Sequence, residues 1–285
     1  MKTSQWLRKT ARRLLIAGAI CFLLIWLLIY APVEKSRRLI HEQIRASSQA
    51  QSQLAEAGQL ISGIPEIDDI KLRQIGSFKN YSDTVGLTSK KLNKLLISYN
   101  VPSKVKGIDI SQNGRIISNV NATISGISST GVNDSKKALN QAQRLAGYQA
   151  AVSAALVNIL EYDPVADTAS FSPESQDTDT RLKLAEDGLS ETLKGINEAK
   201  IKYSDPTIGQ VVAEIKELQD SRDELASSGD TAAWAGAVGT AQNNIIVNRE
   251  LFWENNTTNL GARLQKYSDM YSHIERQYEL LTDKY

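Results

Sequence analysis

The feature that most constrains this chain is an unbroken apolar run from Leu14 to Tyr30, extended by Ala31, Pro32 and Val33. A helix rises about 1.5 Å per residue, so roughly 20 such residues cover the ~30 Å hydrocarbon layer of a bilayer. No charge interrupts the run, and Trp6, Trp26 and Tyr30 stand toward its two ends, where aromatic side chains anchor a span. A buried helix of a soluble protein is rarely apolar on every face, because one face normally meets water. A cleaved signal peptide has a shorter apolar core followed by small residues, whereas here Pro32 follows Tyr30-Ala31 at once. A lipoprotein would carry its cysteine at the end of the run, but Cys21 follows Ile20 in the middle. The expectation is an uncleaved transmembrane signal anchor over residues 14–33, behind a short basic tail over 1–13.

Orientation follows from the flanks. Lys2, Arg8, Lys9, Arg12 and Arg13 precede the run, and Lys35, Arg37, Arg38 and Arg45 follow it. The positive-inside rule, with nothing foldable ahead of the run to translocate, places the N-terminus in the cytoplasm. Residues 34–285 are then extracytoplasmic, and the expected localisation is a single-pass membrane protein.

The chain's 33 basic and 32 acidic residues nearly cancel, yet they are segregated. Residues 34–160 hold 16 basic against nine acidic, and 161–285 hold 12 basic against 23 acidic. A basic half next to the bilayer suits anionic lipid or wall polymer. Basic helices packing beside acidic ones within one bundle explain the segregation equally well, and this second reading is preferred. No basic stripe is interleaved with aromatics, so nucleic acid is not an expected partner.

Beyond the anchor, the periodicity is helical almost everywhere. Leu260, Leu264, Tyr267, Tyr271, Ile274, Tyr278 and Leu281 are spaced alternately four and three apart, the pattern of a helix packing along a narrow seam. These seven are the candidate interaction residues, within a C-terminal helix expected to run for roughly 35–50 residues with a break near Gly236 or Gly239. Trp253 and Thr257 continue the frame backwards, and Ile246 joins it if Glu250 occupies a seam position, whereas Ile245 and Leu251/Phe252 fit only with a frame shift. Ile208, Val211, Ile215, Leu218, Arg222 and Leu225 form another seam, started by Asp205-Pro206. Ala138, Ala142, Leu145, Gln149, Val152, Leu156 and Ile159 form a third, ended by Asp163-Pro164. Leu182, Leu189, Leu193, Ile196 and Tyr203 mark a further helix. A juxtamembrane helix carries Ile40, Ile44, Leu54 and Ile61, with polar Ser47 and Gln51 between them.

The expected fold is all-α: an N-terminal transmembrane helix followed by an elongated antiparallel helical bundle or coiled coil. Its parts are a juxtamembrane helix over 34–64, a first half of the bundle over 65–163, an aperiodic polar loop over 164–180 and a second half over 181–285. Near 104–127 a short β-hairpin competes with helix, because Asn113-Gly114 is a hairpin turn pair. The seams bury the same face whether they close within one chain or between two, so self-association stays open.

The chemistry-bearing residues are sparse. There is no Gly-rich phosphate loop ending in Lys-Ser/Thr and no G-x-S-x-G elbow. His41 and His273 are far apart and read as surface residues. Asp177-Thr-Asp179 resembles the start of a calcium loop, but Arg181 stands where a ligand is needed. No catalytic, cofactor-binding or metal-ligating residues are assigned, and no cofactor or enzymatic activity is expected. The expected function is an envelope scaffold, assembly factor or surface-structure component. Its expected partners are the lipid bilayer, other membrane or envelope proteins, or a second copy of the chain. A ligand-binding sensory ectodomain working with a separate signalling partner is the alternative, and an envelope hydrolase comes third for want of a nucleophile–base pair.

Overall fold

The computed structural model describes residues 2–26, 31–67, 77–99, 132–163, 176–200 and 203–282. They form seven helices and, among the described residues, no strand: α1 Lys2–Ile25, α2 Ala31–Ser62, α3 Phe78–Ser98, α4 Val132–Leu160, α5 Gln176–Lys200, α6 Ile208–Ser228 and α7 Thr231–Thr282. The fold is an all-helical bundle. The hairpin alternative near 104–127 lies outside the described residues. Helix α5 begins at Gln176, inside the stretch read from sequence as loop over 164–180. Helix α6 begins two residues beyond Pro206, so the Asp205-Pro206 pair precedes the helix rather than opening it.

Among the described residues, no helix is long and apolar enough to cross a membrane. The reason lies in where α1 starts and stops. It joins the cations Arg8, Lys9, Arg12 and Arg13 to only the part of the apolar run from Leu14 to Ile25. That part measures about 18 Å at 1.5 Å per residue. Residues 27–30 lie outside the described residues, and α2 already begins at Ala31. The span expected over 14–33 is thus not a single described helix.

The chain divides into two compact units. One comprises Met1–Ser52, Asn100–Asp134 and Tyr267–Tyr285, and the other Gln53–Tyr99 and Ser135–Lys266. In the first unit α2 and α7 touch, with the Ser268 hydroxyl donating to the Gln51 carbonyl at 3.3 Å. Ile40, Ser47 and Ala50 on α2 and Tyr271, Ile274 and Tyr278 on α7 are buried.

In the second unit the helices run antiparallel wherever side chains tie them. The Gln149 amide meets the Tyr81 hydroxyl at 3.1 Å, and Tyr99 near the end of α3 donates to Ser135 near the start of α4 at 2.9 Å. Helices α4 and α7 pair likewise. Gln242 Nε2 donates at 2.8 Å to the Ile159 and Tyr162 carbonyls left open by the end of α4. Further along, Arg263 reaches Gln141 at 2.9 Å. Arg222 late in α6 binds Glu186 early in α5 at 2.7 Å. All seven α4 seam residues named from sequence are buried, as are Ile208, Val211, Ile215, Leu218 and Leu225 on α6. Helix α7 continues unbroken through Gly236 and Gly239 for 52 residues, because a lone glycine costs a helix only about 1 kcal/mol.

Gly195 is required by close approach. A Cβ built there would stand 2.8 Å from the Ala155 Cβ on α4, whereas one built at Gly188 on the same helix meets nothing within 4 Å. Glycine to alanine in a helix interior is ordinarily worth up to about 1 kcal/mol, and overpacking costs about 1–3 kcal/mol. Gly188→Ala should therefore raise the melting temperature of the full chain and Gly195→Ala should lower it. Thermal unfolding of the two variants checks this, and a rise for both would contradict the α4–α5 contact.

Candidate functional site

The most unusual chemistry of the second unit is a cation inside it. Arg249 occupies a seam position of α7, four residues after Ile245 and three before Phe252, both buried. Its guanidinium donates through one terminal nitrogen to Asp205 Oδ2 and through the other to Gln149 Oε1 on α4. The two charged side chains are 1% and 0% exposed. Around the pair the polar atoms are linked: Tyr148 donates to Asp205 Oδ2 at 2.8 Å, and Gln149 passes the network on to Tyr81. Asp205 Oδ1 accepts from the Thr207 amide at 2.8 Å and hydroxyl at 2.7 Å, which fixes the turn ahead of α6. Phe252 lies against the guanidinium, its ring centroid 4.4 Å from the central carbon, while Tyr148 and Tyr203 stack at 5.2 Å beside it. Within this network Arg249 Nε lacks a hydrogen-bond partner among the described residues.

Electrostatics follow the geometry. Burial opposes the charge on Asp205, but the Arg249 cation and the hydrogen bonds from Arg249, Thr207 and Tyr148 prevail and hold its pKa below 3.8. Burial pushes Tyr81 up to about 12, against the opposing pull of its Gln149 bond and of Arg249. Burial and the neighbouring Asp205 carboxylate raise Tyr148 as well. A network sealed from solvent cannot turn over a substrate; its chemistry is that of a clamp joining α3, α4, the 203–207 turn and α7.

Two features of the second unit do reach solvent. The first is a cleft of about 460 Å³ whose lining includes Tyr162 beyond α4, Asp187 and Glu191 on α5, Leu218 on α6 and Trp234 on α7. The second is a face of α3. Leu87, Lys90, Lys91, Lys94 and Ile97 follow helical spacing and are all exposed, Leu87 by 58% and Ile97 by 78%. None of the three lysines has an ion-pair partner among the described residues.

The seven seam residues chosen from sequence fall differently. Leu260 and Leu264 are buried in the second unit, and Tyr271, Ile274 and Tyr278 in the first; Tyr267 is half-buried, and the Leu281 side chain lies outside the described residues. The buried five are covered by the chain itself. Sequence periodicity did not find Arg249, because the frame carried back from Trp253 points to Glu250. The available signal was the paired apolar residues Ile245-Ile246 and Phe252-Trp253, which mark a shift of the seam by one position. Among the described residues no group of histidine, cysteine or carboxylate side chains could hold a metal ion. No protein-family model, curated protein or solved structure matches the chain.

Removing one member of a buried pair strands the other, at a cost of about 3–5 kcal/mol, whereas replacing both members with neutral groups is far milder. Arg249→Met should destabilise the full chain by that amount in denaturant unfolding, and Asp205→Asn added to it should restore much of the loss. A loss under about 1 kcal/mol for the single variant would contradict the clamp. The pH dependence has a defined sign. The Asp205 pKa is depressed on folding, so its contribution is complete above pH 3.8 and is lost as pH falls through the folded value. The Tyr81 pKa is raised, so its contribution is complete below pH 10 and is lost as pH rises toward about 12. Unfolding free energy measured against pH should fall at both ends, and Asp205→Asn should flatten the acid limb only.

Proposed function

We propose that the chain is a single-pass, membrane-anchored protein whose extracytoplasmic helical bundle acts through protein–protein contacts, as an envelope scaffold, assembly factor or surface-structure component. One observation carries the anchoring: every residue from Leu14 to Trp26 is exposed. Nine of them are large apolar side chains, Leu14, Leu15, Ile16, Ile20, Phe22, Leu23, Leu24, Ile25 and Trp26, each about half to three-quarters exposed. Burying such a side chain stabilises by about 1.5–3 kcal/mol, so leaving nine in water forgoes on the order of 10 kcal/mol. A lipid environment recovers it, with the basic tail remaining on the cytoplasmic side.

The exposed face of α3 supports the contact reading. Its lysines fit an acidic protein surface, and Leu87 and Ile97, about 15 Å apart along the helix, fit discrete apolar sockets on that partner. A helix lying in a lipid interface needs a continuous apolar stripe. The stripe of α3, Phe78, Tyr81, Val85, Leu92 and Leu95, is already buried.

Photocrosslinking in cells that express the full chain tests both parts. A photoreactive residue at Leu87 or Ile97 should give one discrete protein adduct, lost when Lys90, Lys91 and Lys94 are changed to Glu, with none from exposed Gln210. The chain should also stay with membranes on alkaline extraction. Lipid adducts alone, or an adduct indifferent to charge reversal, would contradict the contact; release at alkaline pH would contradict the anchor.

A further inference from the structure

The cleft in the second unit has a composition that selects a ligand class. Its inner wall is apolar and aromatic. The buried Trp234 ring meets Tyr162 edge to face at 6.4 Å, and its indole N–H donates to the Tyr162 hydroxyl at 3.3 Å. With that donor engaged, the indole lines the cleft as an aromatic surface. The mouth carries Asp187 and Glu191, exposed and one helical turn apart on α5, beside Leu184, whose side chain is largely exposed. Among the described residues neither carboxylate has an ion-pair partner and no basic side chain lines the cleft. Two like charges at this spacing are mildly unfavourable in an isolated helix, and a cation between them would relieve it.

An independent observation comes from Gly188, which lies between the two acids and lines the cleft. Glycine inside a helix is costly without a reason. At Gly195 the reason is the Ala155 Cβ on α4, whereas a Cβ at Gly188 would meet nothing within 4 Å. The missing side chain keeps the opening clear, and about 460 Å³ is room for a small organic molecule.

We infer that this cleft binds an amphipathic organic cation of the aryl- or alkylammonium class. The charged head sits beside Asp187 and Glu191, and the apolar body lies against Trp234 and Tyr162. Aromatic faces and carboxylates attract such a head together, and the attraction grows as the site is desolvated. An anion would meet the two negative charges of Asp187 and Glu191. The inference does not depend on membrane anchoring, and it would give an anchored bundle a chemical input.

Calorimetric titration of the full chain in detergent, with benzyltrimethylammonium as the probe, tests it. Saturable one-to-one binding is expected, at least tenfold weaker in the Asp187→Asn/Glu191→Gln variant and abolished in Gly188→Leu, with melting temperatures close to the parent's. The neutral isostere neopentylbenzene should bind at least tenfold more weakly than the cation. Absence of saturation at millimolar probe, binding unchanged in the carboxamide variant, or equal binding of the neutral isostere would each overturn the assignment.

Discussion

A guanidinium carried into a bundle interior gives up hydration worth several kcal/mol and recovers it only through partners held within hydrogen-bond reach. Arg249 imposes that requirement on the second unit. Its two terminal nitrogens take Asp205, from the turn between α5 and α6, and Gln149, from the middle of α4. Tyr148 and Tyr81 are drawn in because the remaining acceptor and amide positions of those partners also need satisfying. Hydrophobic burial can hold helices together at many relative positions, since apolar contact has little directionality. A buried fork of donors has few solutions. The network is accordingly the element that sets which turn of α4 faces which turn of α7, and it does so where no disulfide is available, the single Cys21 lying in α1.

Much of the bundle was legible from periodicity, because a helix that buries one face must repeat its apolar residues every three or four positions. The α4 and α6 seams were readable for that reason, and the α4 seam included Gln149. Its polarity marked an interior partner that was not recognised as such. That α7 would be long was legible, but its passage through Gly236 and Gly239 was not, since they look like breaks until tertiary packing is known to outweigh their propensity. Arg249 was hidden by a one-position shift of the seam, where two adjacent apolar pairs make both frames acceptable. The cleft was illegible for a deeper reason: Tyr162, Asp187 and Trp234 are far apart in sequence, and only the antiparallel returns of the chain bring them to one opening. Asp205 was read as a helix-start signal, and it does hold the turn before α6, but its second oxygen serves the buried arginine.

The functional proposals rest on surfaces left over once the core is assigned. Five of the seven C-terminal seam residues are covered by the chain itself, which leaves faces such as that of α3 open. There the apolar side of the helix is committed inward, and lysines flanked by Leu87 and Ile97 face out. The acidic cleft draws on the opposite end of the charge segregation seen in sequence. One unit thus presents a basic face and an acidic opening on different helices.

We propose that residues 14–33 hold the chain in a membrane with everything beyond them outside the cytoplasm. The most direct measurement is thiol labelling in a Cys21→Ser background carrying Glu217→Cys, at an exposed position of α6. A membrane-impermeant reagent should label this position in intact cells to the same extent as after lysis. Protection in intact cells, with labelling appearing only on lysis, would contradict the account.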